Sequence, residues 1–269
     1  MKPLPGPGEQ AFALQAEPGG ALYLVPNTLD LGTGDDTTDL REVLPLGVIR
    51  MAAGLGHWVA ESAKSARTFL NRVNAVVPLA LPLQSVSIVE LPRPRKGSPQ
   101  SPAMPLEPLL GPALQGHAIG LISEAGLPAV ADPGAALVQA AHELKIRVVA
   151  LPGASSLLLA LAVSGLNGQS FAFVGYLPVD PSERAARIRE VEAVSRRQQQ
   201  TQLMIETPYR NQVLLAALVS HLQPGTRLSV SCGLTLSTGL TRADAVAAWR
   251  TAPMTLPANV PAVFCLLAG

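Results

Sequence analysis

Cysteine occurs only twice in the 269 residues, at Cys232 and Cys265, and never as a C-x-x-C pair. Both fall in apolar runs that read as strands. Neither a disulfide framework nor a zinc cluster is therefore expected, and the usage suits a reduced, cytoplasmic compartment. The four histidines (His57, His117, His142 and His221) are scattered, which also argues against a metal site. Aromatic residues are 4% of the chain, too few for a surface that stacks successive bases of a single strand. Charged residues are 14% and the formal net charge is +1, so no long-range field draws nucleic acid to the surface as a whole. Only a local basic patch is left for that role. The longest apolar run, Leu157 to Val163, is far shorter than the roughly 20 residues of a membrane-spanning helix. The opening MKPLPGPGEQ has one lysine and no apolar centre, unlike a secretory signal. A soluble chain with no membrane partner is the expectation. No Walker A lysine loop, HExxH or GxSxG occurs. Leu31-Gly32-Thr33-Gly34-Asp35 resembles a fragment of a nucleotide loop but lacks its glycine spacing, and reads as a polar turn.

What the chain does have is apolar residues, at 48%, enough to bury one large core or two modest ones. Residues 1–20, rich in Pro and Gly, read as a loose tail. A strand over Ala21 to Val25 closes at Pro26. Asp35 to Leu44 reads as a short helix, Val48 to Arg50 as a small strand, and His57 to Ala60 as a strand running into a helix over Glu61 to Leu70. Six prolines between Leu91 and Pro108 predict an exposed, mobile loop. Ala118 to Ile122 is an expected strand and Ser123 to Val130 a loop. Asp132-Pro133 then reads as N-cap and first residue of a helix. That helix, Gly134 to Lys145, sets Leu137, Ala140, Ala141 and Leu144 on one face, and the strand Arg147 to Leu151 completes a βαβ unit. The loop 152–156 opens a helix over Leu157 to Ser164, ending at Gly165.

A boundary near Asn167-Gly168 divides an N-terminal α/β domain, 21–168, from a C-terminal one, 169–269. In the second, strands are expected over Phe171 to Tyr176, Gln202 to Ile205, Leu228 to Cys232 and Ala262 to Leu267. A charged surface helix is expected over Pro181 to Arg197, with further helices over Tyr209 to Leu222, after Thr207-Pro208, and over Thr241 to Trp249.

The two loops rich in Gly, Pro, Ser and acidic residues, 123–134 and 152–156, each follow a strand and precede a helix. In an open α/β sheet such loops gather at the carboxyl ends of the strands, where ligands bind. Ser123-Glu124-Ala125-Gly126-Leu127-Pro128-Ala129-Val130-Ala131-Asp132-Pro133-Gly134 resembles the S-(D/E)-A-G-x-P-x-x-(S/A)-D-P-G motif of the tetrapyrrole methylase superfamily, in its ribosomal RNA 2′-O-ribose methyltransferase-like branch. Pro152-Gly153-Ala154-Ser155-Ser156 is similar to that branch's P-G-(P/A)-S-(A/S) loop, and Glu206-Thr207-Pro208-Tyr209-Arg210 to its E-(S/T)-P-(H/Y)-R element. Ser164-Gly165-Leu166 and Phe171 to Pro178 continue the likeness, which runs in order from about Ala21 to Leu267.

The resemblance implies two α/β domains with S-adenosylmethionine in the cleft between them, in a homodimer, and no metal. It places cofactor contacts at Pro26, at Ser123, Glu124, Ala125 and Gly126, and at Ala154, Ser155 and Ser156, with Glu124 accepting hydrogen bonds. Two of these positions have a second reading as helix-start residues, Ser155 and Ser156, and Asp132 reads as N-cap or ligand. Arg210 reads as a solvated or ion-paired residue.

The N-terminal half departs from the pattern. Where the branch has P-I-G-N-L the chain has Pro26-Asn27-Thr28-Leu29-Asp30, and A-E-D-T-R appears as Ala60-Glu61-Ser62-Ala63-Lys64. Glu61, Lys64 and Arg67, at i, i+3 and i+6, are expected on one helical face, either as a surface ion-pair set or as a patch that grips the methyl acceptor. A ribose hydroxyl is a poor nucleophile, so Glu61 is the candidate base, Glu124 the reserve, and Lys64 the group steering a phosphate. The arginines of 184–197 are interleaved by Glu183, Glu190 and Glu192 and read as a solvated face. The branch carries a further C-terminal helical segment tied to RNA contact, while this chain ends at Gly269. Three expectations stand: ribosomal RNA as acceptor, a different small-molecule or protein acceptor, or a noncatalytic S-adenosylmethionine-binding protein.

Overall fold

The structure, a computed structural model, describes residues 20–30, 39–92 and 105–269. The expected tail and the Leu31–Asp35 turn lie outside them, as do 93–104 of the proline-rich segment. The chain divides into two compact units, 1–154 and 155–269.

In the first unit five short strands pair in parallel: β1 (Ala21–Leu24), β2 (His57–Ala60), β3 (Ser87–Glu90), β4 (Ala118–Ile122) and β5 (Arg147–Ala150). Their order is β3-β2-β4-β1-β5. Successive side chains point to opposite faces. In the central strands β1, β2 and β4 both faces are covered, which is why these are largely apolar, whereas the edge strands β3 and β5 are more exposed and carry Glu90 and Arg147. Tyr23, Trp58 and Ile122 join one core with α1 (Leu46–Gly54) and α2 (Ala63–Val76). Leu22, Val59, Ile119 and Leu121 join another with Leu137 and Ala141 of α4 (Ala135–Glu143) and with Ala113 of the single turn α3 (Gly111–Leu114). Thus β1 leads to α1 on one face, whereas its neighbour β4 leads to α4 on the other. Where adjacent strands send their connections to opposite faces, a crevice opens at their carboxyl ends.

The second unit has a mixed sheet, built from β6 (Phe171–Phe173), β7 (Thr201–Glu206), β8 (Arg227–Cys232), β9 (Leu240–Ala245) and β10 (Ala262–Leu267) in the order β6-β7-β10-β8-β9. Only β6 and β7 are parallel. Along β10, Phe264 and Leu266 face a core with α6 (Pro181–Gln198), α7 (Asn211–His221) and α8 (Val246–Thr251). The alternate residues Val263 and Cys265 meet Leu157, Ala160 and Leu161 of α5 (Ser156–Ser164). Both thiols are buried, and burial pushes them up, Cys232 to about 11 and Cys265 to about 12.

Several expectations are corrected. The boundary falls at 154/155 rather than 168, because α5 packs on the second unit's sheet. Val48–Arg50 lies inside α1, where Val48, Ile49 and Ala52 form the buried stripe of a helix rather than a strand. Thr241–Trp249 is split. Leu240–Ala245 pairs antiparallel with β8, whose edge supplies its hydrogen bonds, and only Val246–Thr251 is helical. The helix expected from Asp35 is, in its described part, one 3-10 turn at Leu40–Glu42 capped by Asp39. The proline-rich loop ends early, in a 3-10 turn at Glu107–Leu110 with Leu110 buried. Asp132 is not an N-cap: α4 begins at Ala135, after Gly134 at φ 134°, with no side-chain cap.

Candidate functional site

The carboxyl ends of β1, β2 and β4 converge in the first unit, and a hydrogen-bond network joins the loops that leave them. After β1, Asn27 is 6% exposed and its amide is nearly saturated. Nδ2 donates to the carbonyls of Ser123 and Glu124, each at 3.0 Å, and Oδ1 accepts from Thr28 N–H at 2.8 Å. Backbone bonds run alongside, from Asn27 N–H to Gly126 O (2.9 Å) and from Gly126 N–H to Thr28 O (3.3 Å). Behind this, Thr28 Oγ1 donates to Asp30, and Arg72 of α2 bonds both Thr28 Oγ1 (3.1 Å) and Asp30 Oδ2 (3.0 Å).

From the β2 side, Glu61 Oε2 accepts the Glu124 N–H at 3.1 Å, and Ser65 Oγ donates to Glu124 Oε1 at 3.3 Å. Ser62, not Glu61, is the N-cap of α2, accepting from Ser65 N–H. Glu61 therefore precedes the helix, and the expected single face with Lys64 and Arg67 does not form. Lys64 is exposed on the first turn of α2, and exposed Arg67 bonds back to Ala63 O at 3.5 Å.

Gly126 has φ +66°, and a Cβ there would lie 3.3 Å from Leu29 Cδ2 and 3.6 Å from Ala154 O. A side chain would be strained and crowded, so a glycine lets backbone from three segments approach. Gly153 is similarly forced, since its Cβ would fall within 2.4 Å of the Pro26 ring. Beyond Gly126 the loop holds Ala129 and Ala131 in the left-handed region, both at φ 65°. Such conformations cost about 1 kcal/mol or more per non-glycine residue and persist only where the surroundings impose them.

Asp132 sits half-buried in this loop with its carboxyl pushed up from 3.8 to about 7. Burial is the largest cause, followed by the charges of Glu61 and then Glu124. The Ser123 hydroxyl opposes the shift, although Ser123 Oγ, itself buried, has no hydrogen bond of good geometry. The arrangement is a cluster of three carboxyls, of which Asp132 titrates near neutrality and is able to keep a proton or release it there.

Of the expected site residues, the structure brings Pro26, Ser123, Glu124, Ala125, Gly126, Ala154 and Glu61 into one network or its immediate wall. Ser155 and Ser156 belong to the second unit, where Ser155 is the N-cap of α5 through its backbone carbonyl and Ser156 the first helical residue. Arg210 is ion-paired with buried Glu206 at 2.9 Å, in keeping with its bland reading. In α6, Arg187 pairs with Glu190 and buried Arg184 bonds the carbonyls of Pro178 and Val179. Asn27, Ser65 and the titration of Asp132 were missed by sequence reasoning. An Asn directly after a strand-closing Pro is the only local signal for the first, because its partners lie 96 and 97 residues away.

No family model matches the chain. Curated proteins do: 129 residues are 40% identical to the ribosomal RNA small subunit methyltransferase I of Mesorhizobium japonicum, 48% of this chain and 42% of that protein. A 102-residue stretch is 38% identical to the protein of the same name from Vibrio cholerae, covering 38% and 34%. The chain thus spans less than half the length of the curated relatives it matches. Among solved structures, the uroporphyrin-III-C-methyltransferase of Thermus thermophilus superposes with a TM-score of 0.51 at 19% identity, over 93% of this chain and 92% of that one. The methyltransferase CobJ gives 0.52 at 14% identity, over 93% and 94%. At these identities the likeness is one of fold, and the α/β fold is that of the tetrapyrrole-methylase type.

Proposed function

We propose that the chain is an S-adenosylmethionine-dependent methyltransferase acting on a ribose 2′-hydroxyl of ribosomal RNA. The observation that carries the cofactor reading is the Ser123–Gly126 loop. It leaves the carboxyl end of β4 in the parallel sheet and turns at Gly126, which holds φ +66°. Its Ala125 N–H also finds no acceptor among the described residues. The residues fit the cofactor: small side chains admit it, a free N–H meets its acceptors, and the acidic edge of Glu61, Glu124 and Asp132 suits a cationic sulfonium and ammonium. The RNA reading rests on the partial likeness to the curated ribosomal RNA methyltransferases.

When bound, the cofactor supplies an electrophilic methyl group for in-line displacement, so the protein's contribution is orientation and proton handling. Ser123, Ala125, Gly126 and Ala154 would hold it, with Pro26 packed against Gly153 and the Ser155–Ser156 turn following in the chain. Glu61 acts by holding the loop, because its carboxylate is engaged by the Glu124 N–H. Asp132, half-buried beside Glu61 and Glu124, is in this reading the group that accepts the proton of the ribose hydroxyl. Lys64, exposed on the first turn of α2, is in this reading the group that meets a phosphate of the acceptor. In this reading the protein is a cytoplasmic homodimer whose partner is ribosomal RNA, working without membrane or metal.

The test is transfer of labelled methyl from S-adenosylmethionine to small ribosomal subunits and to naked ribosomal RNA lacking ribose methylation, with Gly126→Trp as the blocked control. Saturable labelling by the wild type alone, mapped to a 2′-oxygen, is expected. Cofactor binding without labelling of either RNA would refute the acceptor, and no cofactor binding would refute the whole reading.

A further inference from the structure

We infer that Asn27 is a positioning residue, whose side-chain amide sets the two peptide planes of Ser123-Glu124-Ala125 so that the Ala125 N–H is presented to a ligand's hydrogen-bond acceptor. The inference rests on the cofactor reading above.

A trans peptide points its C=O and N–H in opposite directions. Asn27 Nδ2 binds the Ser123 and Glu124 carbonyls with its two hydrogens, so it draws two successive oxygens to one side. The two N–H groups of the same peptides must then face away from Asn27. The first, of Glu124, meets Glu61 Oε2 at 3.1 Å, which clamps that peptide from both ends. The second, of Ala125, has no acceptor among the described residues. An N–H held in this orientation is a preformed donor for a carboxylate or hydroxyl oxygen, of the kind the methionine and ribose portions of S-adenosylmethionine carry.

The loop's position does not depend on this side chain. Asn27 N–H to Gly126 O and Gly126 N–H to Thr28 O are backbone bonds, and Val25 N–H bonds Leu121 O at 2.8 Å. What the amide alone contributes is the rotational setting of two peptides. An Asp at position 27 has nearly the same shape but sets an acceptor against two acceptors, so it reverses the interaction without opening a cavity.

The chain has two Glu-Ala peptides, 124–125 and 192–193, and the second lies within α6. Labelling Glu at the carbonyl carbon and Ala at nitrogen therefore yields two correlated amide signals, one at the proposed donor and one as internal reference. The experiment compares wild type, Asn27→Asp and Asn27→Ala during titration with S-adenosylhomocysteine, with Kd taken from calorimetry. In the wild type the Ala125 signal should move on binding while Ala193 stays fixed. In both variants the free-state Ala125 signal should be displaced, Ala193 and the Trp58 emission (read in a Trp249→Phe background) unchanged, and Kd weakened at least tenfold. Variants that bind as tightly as the wild type would overturn the role of Asn27 and leave the cofactor reading standing. Collapse of the Ala193 signal and Trp58 emission in both variants would overturn it too, by making Asn27 a residue of general stability. A wild type that does not bind S-adenosylhomocysteine would instead refute the cofactor reading itself.

Discussion

Asp132→Asn should stabilise the first unit, by more as pH rises from the ordinary carboxylate range towards 7. The Asp132 carboxyl is pushed from 3.8 to about 7, first by burial and then by Glu61 and Glu124. An unfolded chain loses this proton near the ordinary value, whereas the folded chain keeps it until near 7. Between those values folding takes up a proton, so wild-type stability falls as pH rises through the window and is flat beyond it. Each pKa step of one is worth about 1.4 kcal/mol, which puts a ceiling of about 4 kcal/mol on the penalty at pH 8. Water reaching a half-buried carboxylate reduces this to roughly 2 kcal/mol. Asn has the same shape and no charge. The two tryptophans, Trp58 and Trp249, fall one in each unit, so a Trp249→Phe background leaves Trp58 to report the first unit alone. Urea unfolding followed by its emission should give Asp132→Asn a small advantage at pH 5 that grows to about 2 kcal/mol at pH 8. An advantage independent of pH, or a destabilised Asn variant at pH 8, would refute the reasoning.

Two further perturbations test the frame around the site. A Cβ at Gly120 would stand 2.7 and 2.8 Å from ring atoms of Trp58, which is 1% exposed and tied through Nε1 to Leu55 O. Gly120→Ala should therefore cost about 1–3 kcal/mol and alter Trp58 emission, and a melting curve matching the wild type would contradict the packing described. Arg72→Ala removes the guanidinium from Asp30, whose side chain is 9% exposed, and should cost about 2–3 kcal/mol in the same unfolding assay. Adding Asp30→Ala should restore part of that loss, and strict additivity of the two would show that the pair is not coupled.

Eight of the ten described strands were legible as short apolar runs bounded by Pro, Gly or polar residues; β3 (Ser87–Glu90), on a sheet edge and largely exposed, was not expected, and β9 was read as helix. Ala262–Leu267 is an unbroken apolar run, and the β4–α4–β5 unit follows from helical spacing over Leu137, Ala140 and Ala141. Errors came where local chemistry pointed one way and long-range pairing another. Thr241-Arg242-Ala243-Asp244 has a helical composition, yet an open edge of β8 draws it into the sheet. Asp132-Pro133 has the chemistry of a helix start, yet Ala129, Ala131 and Gly134 at positive φ carry the chain past it. Asp132 is left beside two other carboxylates instead.

By itself the sequence marked two loops after strands, 123–134 and 152–156, as the candidate site, through their Gly, Pro, Ser and acidic residues. It also determined the α/β class, through the period of its apolar residues. Only the tertiary structure decided what each polar side chain does there. Asn27, Glu61 and Glu124 lie far apart in the chain and meet because β1, β2 and β4 are neighbours in the sheet. Hydrogen bonds act over about 3 Å, and burial and like charge shift a carboxyl only when it is enclosed with them. Both are properties of spatial neighbourhood, which residue spacing along the chain does not contain.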